Sequence, residues 1–407
     1  MRRVVITGMA SISALGNTRE ESWARMHKFE NAVCEMPDWA EYKGLRSHVA
    51  APMKNYTLKK YDRKIVRTMS TISVLAADAT EQALADAGLW NSPEIQSGNT
   101  GVAYGSCSGS LDAYNALKTL VCDKSTADLD STTYVKLMGH TVPVNLEMFL
   151  KTTGRLIPTS TACTSGSLAI GSAYEAIKFG MQDIMVAGGA EILHIAQTCI
   201  FDTLFATTTK NDTPQLTPSP FDKNRDGLVI GEGAGTLILE ELEHALARGA
   251  KIYAEVVGFG TNTDGTHITK PNSKTMAGAL RLALADAKIS PNEIGYVNAH
   301  GTATDAGDIA ETTATREVFG RRVPISTLKS YIGHTLGACG AIEAIATIDM
   351  MNNGWFCPTL NLEEIDPLCG DLDYIRGNGR EIATDCVMSN NFAFGGINTS
   401  LIFRKWK

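Results

Sequence analysis

The segment RLIPTSTACTSGSLAIGSAYEAIKFG (155–180) packs a β-like run, a turn of small residues and a helical pattern ending at Gly180 into one continuous unit. A strand feeding directly into a helix is the building block of α/β architecture. Outward from it, strand-like runs recur between helical patterns at VVITGM (4–9), TGVAYG (100–105), DIMVAGG (183–189) and GTLILEE (235–241). Val4, Val5 and Ile6 are β-branched and run into Gly8, so the opening reads as a first buried strand and not as a signal peptide. Apolar and alanine spacing predicts one helix from Ile65 to Leu89, closing near Gly88. A second unit begins with KIYAEVVGFG (251–260) and continues through a helix from Met276 to Ala287. It then passes a capping box at Ser290 to Glu293 and reaches the strand of GYVNAHG (295–301). The chain therefore reads as α/β in two similar halves, residues 1–250 and 251–407, with no linker tract between them. The stretch from Cys122 to Phe149 reads as an insertion or cap.

Bulk properties narrow the function. Apolar residues at 44% and charged residues at 20% of 407 residues describe a packed globular chain. A net charge of -7 disfavours nucleic acid as the main partner, since phosphate binding needs a basic face. No apolar run is long enough to span a bilayer, and a cytoplasmic location is expected. Nine cysteines, an odd number without a CxxC pair, argue against a disulfide framework or a zinc site.

Cys163 lies at the turn of the opening segment. A lone internal cysteine is by default a small buried hydrophobe. At a helix N-terminus, however, the dipole and nearby amides favour thiolate, and Ala162, Thr164, Ser165 and Gly166 keep the approach uncrowded. NAHGTATDAGDIAE (298–311) and STLKSYIGHTLGACGA (326–341) each place a histidine, His300 and His334, at a break beside glycine. Lys329 precedes His334 on the same loop, and Asp308 and Glu311 follow His300 at helical spacing. A buried lysine paired with a carboxylate could orient such imidazoles.

Other patterns fall away. DKNRDGLVIGEG (222–233) opens like a calcium loop but ends on Gly233 where a bidentate Glu is needed. GVAYGSCSG (101–109) and GFGTNTDG (258–265) are glycine-rich without the GxGxxG helix opening of a nucleotide site. Cys163 and His300 are spaced as in papain-type proteases, yet TACTS lacks the flanking signature of that class.

TACTSG, NAHGTATDAGD, LKSYIGHTLGACGA and SNNFAFGGINTSLIF, together with VVITGMA and PFDKNRDGLVIGEGAG (220–235), resemble the signature segments of the elongating β-ketoacyl-acyl-carrier-protein synthases of the thiolase-like superfamily. The resemblance covers nearly the whole chain. It implies a five-layer α-β-α-β-α fold from two duplicated halves, usually a homodimer, with a heterodimer with a related subunit as the alternative. It implies that Cys163 accepts an acyl group and that the amides of Cys163 and Phe394 form an oxyanion hole. His300 and His334 would hold the malonyl thioester and promote loss of carbon dioxide. Lys329 and Glu311 match the buried charged pair, Thr302 and Thr304 line the phosphopantetheine tunnel, Phe394 is a gate beside Phe392, and Ser108 lies on the acyl-pocket wall. No bound cofactor or metal is implied, because 4'-phosphopantetheine arrives on the acyl carrier protein.

The chemistry expected is decarboxylative condensation in fatty acid elongation. The alternatives are the same chemistry in an aryl polyene or type II polyketide pathway, and a non-catalytic chain-length-factor subunit, a class that typically loses the cysteine retained here. GSCSGSLD (105–112), Tyr331 and Ile332 depart from the pattern of housekeeping synthases, so the resemblance does not fix the acyl chain.

Overall fold

The computed structural model describes residues 1–407, the side chain of Asp112 excepted. Five strands come from the first part of the chain: β1 Val4–Ser13, β2 Thr100–Gly105, β3 Leu156–Pro158, β4 Ile184–Glu191 and β5 Gly233–Glu241. Five more follow: β6 Ala254–Thr263, β7 Tyr296–Asn298, β8 Pro324–Ser326, β9 Cys386–Phe392 and β10 Ile397–Lys405. The hydrogen-bonded order is β3-β2-β4-β5-β1-β6-β10-β9-β7-β8, with Asp373–Tyr374 paired beyond β8. Numbered from its own first strand, each set of five has the order 3-2-4-5-1. The parallel and antiparallel pairings also match one for one. The two sets join where Val4–Ile6 of β1 lie antiparallel to Ala254–Val256 of β6.

Six helices complete the layers: α1 Thr71–Asp86, α2 Thr141–Leu150, α3 Ser165–Lys178, α4 Ser273–Ala287, α5 Asp305–Phe319 and α6 Cys339–Asn353. Strand side chains alternate between two cores, as the pleat requires. Leu237 and Leu239 of β5 and Leu401 and Phe403 of β10 join Ile170 and Ile177 of α3 and Ile342 and Ile348 of α6 in a central core. Ile238, on the opposite face of β5, packs with Leu75 and Leu84 of α1 and Leu146 of α2. Ile402, on the opposite face of β10, packs with Leu280 and Leu284 of α4 and Ala314 of α5. Three cores separated by two strand layers give the five-layer α-β-α-β-α arrangement. Strands covered on both faces read as near-continuous apolar runs, which is why β1 is buried at all ten of its residues.

Two local readings change. The expected single helix from Ile65 to Leu89 is broken: a short turn at Arg63–Val66 ends before α1 begins at Thr71. Thr68 Oγ1 donates to Asn145 Oδ1 of α2 at 2.7 Å, Asn145 Nδ2 donates back to the Thr68 carbonyl at 3.3 Å, and Ser70 is extended, so the backbone here is tied to α2 instead of continuing a helical ladder. The expected cap from Cys122 to Phe149 also divides. Helix Thr133–Leu137 is peripheral, whereas α2 is a packed layer element whose Val142 and Leu146 are fully buried.

The central helices approach closely through glycine. A Cβ on Gly166 of α3 would come within 2.9 Å of the Ala341 nitrogen, and one on Gly340 of α6 within 2.5 Å of the Ser167 nitrogen. Backbone atoms cannot yield there, so Gly340→Ala is expected to destabilise the protein by about 1–3 kcal/mol. A urea midpoint equal to the parent's would contradict this packing.

Candidate active site

Cys163 sits in a 3-10 turn, Ala162–Thr164, that runs straight into α3, and it is 4% exposed. The turn is sharp because Ala162 adopts φ +51°, in the left-handed region. Ala303 (φ +65°) and Leu336 (φ +46°) do the same in the loops after His300 and His334. Non-glycine residues rarely accept this conformation, at a cost of about 1–2 kcal/mol each. Its recurrence in all three loops that meet here is the pattern expected of a functional site.

The structure brings Cys163, His300 and His334 together, with their ligating atoms all within 4.8 Å of one another. His334 Nε2 lies 3.0 Å from Cys163 Sγ, and the two imidazoles stand edge to face, 5.2 Å apart. Their tautomers follow from their other partners. His334 Nδ1 accepts the Leu336 N–H at 3.2 Å. His300 Nδ1 faces the Lys329 ammonium at 3.3 Å. Each Nδ1 must therefore offer its lone pair, which leaves the proton on Nε2. Burial first, and then the Lys329 charge, hold both imidazoles well below the ordinary histidine range, so both are neutral donors at physiological pH. A metal-ligating imidazole normally donates through its second nitrogen. Here that nitrogen accepts on both rings, so this trio does not suit a metal ion.

The thiol departs from its expected acidity. Burial pushes Cys163 up to about 11, against the Lys329 charge and the backbone N–H groups of Phe394 and Cys163 itself. Desolvation outweighs the helix terminus, and the resting residue is a thiol. Below its pKa the thiolate fraction rises with pH, so alkylation of Cys163 by iodoacetamide should accelerate about tenfold per unit between about pH 7 and about pH 9. A rate that levels off near neutral pH would indicate a low-pKa thiolate instead.

The buried ion pair involves a different carboxylate from the one expected. Lys329 Nζ pairs with Glu343 of α6, not with Glu311; the lysine is 1% exposed and the glutamate 0%. Glu311 instead accepts the His300 N–H at 2.7 Å and the Gly301 N–H at 2.8 Å, fixing the backbone that carries the imidazole. With two amides already on Glu311, the lysine takes the carboxylate that α6 brings beneath the site. Glu343 is the first charge in the otherwise apolar opening of that helix, and a lone charge at a core position was the available signal. Asn391, which donates to Glu343 Oε2 at 2.8 Å, was also missed.

A cavity of about 310 Å³ leads to these groups, lined among others by Cys163, His300, His334, Thr302, Thr304, Phe392 and Phe394. The Thr302 and Thr304 hydroxyls lie 2.9 Å apart. Phe394 packs 5.4 Å from Phe201, and two left-handed glycines, Gly395 and Gly396, follow it. Ser108 is not among the residues lining this cavity. Its backbone N–H is drawn to the buried Glu191 carboxylate, which also accepts from the amides of Cys107 and Gly337.

Fold and site together define a thiolase-type condensing enzyme. Residues 1–245 match the N-terminal domain of the β-ketoacyl synthases and residues 253–363 their C-terminal domain, and the chain belongs to that family. It is 39% identical to 3-oxoacyl-[acyl-carrier-protein] synthase 1 of Escherichia coli K12, with both chains covered completely. A crystal structure of a β-ketoacyl synthase from Burkholderia phymatum superposes over the whole of both chains with a TM-score of 0.98 at 56% identity. A type II polyketide ketosynthase solved with its acyl-carrier protein, and bound to the hexaketide, superposes over both full chains with a TM-score of 0.90 at 31% identity. Among the described residues, no helix is long and apolar enough to cross a membrane.

Proposed function

We propose that the chain condenses an acyl group held as a thioester on Cys163 with malonyl-acyl-carrier protein, releasing carbon dioxide and giving 3-oxoacyl-acyl-carrier protein in fatty acid elongation. The observation that carries this reading is the convergence of one thiol and two Nε2–H donors at the end of a cavity. In the first half-reaction Cys163 Sγ attacks the carrier thioester, and its acyl oxygen receives the N–H groups of Cys163 and Phe394, which already point at the sulfur. The carrier thiol leaves with the proton of Cys163. In the second half-reaction His300 and His334 donate to the malonyl thioester oxygen. Neutral donors stabilise the enolate formed as carbon dioxide departs without trapping the carboxylate as a salt bridge. The enolate carbon then attacks the acyl-Cys163 carbonyl, the C–S bond breaks with its electron pair on Cys163 Sγ, and the thiolate takes a proton from solvent to restore the resting thiol.

The partner is an acyl carrier protein, whose phosphopantetheine arm would enter past Thr302 and Thr304, with the Phe394 loop as gate and Phe392 as wall. Lys329, with Glu343, keeps His300 neutral and oriented. The chain itself would act as a homodimer. Elongation is preferred over a polyketide pathway because curated relatives that match over 99–100% of both chains at 37–39% identity are named 3-oxoacyl-[acyl-carrier-protein] synthase 1 or 2. Intact mass spectrometry after incubation with saturated and polyenoyl carriers tests both points. A saturated acyl adduct on the Cys163 peptide is expected, an exclusively polyenoyl adduct would move the chain to the other pathway, and no adduct with any carrier would overturn the reading.

A further inference from the structure

Asn391 is the penultimate residue of β9 and is fully buried. Its amide nitrogen lies 2.8 Å from Glu343 Oε2, 3.4 Å from His300 Nδ1 and 3.6 Å from Cys339 Sγ. Its oxygen has no partner among the described residues. That oxygen lies where a Cβ on Gly340 would come within 2.9 Å of it, so the bare glycine makes its room. A buried amide oxygen without a donor is unfavourable, and native proteins keep few of them. The position thus retains a group whose nitrogen is heavily used and whose oxygen is not.

The orientation of the amide is not free. Turning it over would set the oxygen against the Glu343 carboxylate, so one N–H stays on Glu343 and the other faces His300 Nδ1. On its other side His300 Nδ1 meets Lys329 Nζ at 3.3 Å. The lysine sits at the end of a long chain, whereas the amide is planar and rooted in a central strand. Anchored on Glu343, it is the more rigid of the two donors.

We propose that Asn391 is a positioning residue: its amide nitrogen, braced on Glu343, holds His300 in the tautomer that presents Nε2–H to the cavity and so sets the decarboxylating half-reaction. This rests on the condensing function proposed above. The charged and titratable groups around His300 are Lys329, Glu343, Glu311, His334, Cys163 and Cys339, and none of them duplicates the fixed geometry of the amide.

The test uses the full chain labelled with ¹⁵N-histidine, and the variants Asn391→Asp and Asn391→Leu. In the parent, the nitrogen shifts of His300 should report the Nε2–H tautomer. Finding Nδ1–H there overturns the proposal whether or not either variant folds. In Asn391→Asp the group at 391 accepts where the amide donated and leaves Lys329 the sole donor to His300 Nδ1, so the Nε2–H tautomer should lose population to Nδ1–H. In both variants the ratio of decarboxylation to Cys163 acylation should fall at least about tenfold. An unchanged ratio, or a parallel loss of both half-reactions with the tautomer intact, overturns the assignment. Failure of the parent to acylate or decarboxylate at all would count against the proposed function, and the tautomer measurement would still decide the role of Asn391.

Discussion

Replacing Cys163 with alanine should lower carrier-dependent condensation by at least about 10³-fold, because no other group at the site can hold the acyl chain. Cys107 and Cys339 are nearby thiols, but neither can replace it. Burial raises Cys107 beyond the useful range, and Cys339 donates its own S–H to the Cys163 carbonyl at 3.2 Å. The substitution removes one sulfur from a small apolar cluster of Cys163, Cys339 and Ala393, so the fold should survive. Product formation from acyl and malonyl carriers, beside a thermal melt, measures both effects. A variant that condenses at an undiminished rate would remove Cys163 from the mechanism.

The second large effect is expected at the imidazoles. His300→Ala and His334→Ala should each slow decarboxylation of malonyl carrier protein by about 10²–10³-fold, the loss associated with one donor to a developing oxyanion. Acylation of Cys163 should fall much less, and the two variants should differ in it. His334 Nε2 touches the sulfur at 3.0 Å, whereas His300 is held through Lys329 and Asn391, so acylation should suffer more in His334→Ala. Measuring released carbon dioxide separately from the mass added to Cys163 resolves the half-reactions. Parental decarboxylation in either variant would show that the division of labour is wrong.

Much of this was legible in the sequence because burial on both faces leaves a simple mark. VVITGM and GTLILEE read as strands since no polar alternation interrupts them, and the small residues around Cys163 announce a tight turn into a helix. What stayed hidden depends on how distant elements cross. Glu311 and Glu343 are both buried glutamates near Lys329, and only the descent of α6 beneath the site decides which one the ammonium meets. The helix dipole at Cys163 is a local property and could be read. The desolvation that overrides it comes from packing α6 and the Phe394 segment over the thiol, and could not. The break before Thr71 is of the same kind, since the hydroxyl of Thr68 bonds to Asn145 on a helix far along the chain.

In the proposed reaction one carbon-carbon bond is made for each carboxylate lost, on the thioester carried by Cys163. Single-turnover condensation with malonyl carrier protein labelled with ¹³C at the free carboxylate, starting from enzyme already acylated on Cys163, measures this stoichiometry. One labelled carbon dioxide is expected for each 3-oxoacyl product, with no label in the product and loss of the acyl mass from Cys163 in step. Label retained in the product, or carbon dioxide released while the acyl group stays on Cys163, would contradict it.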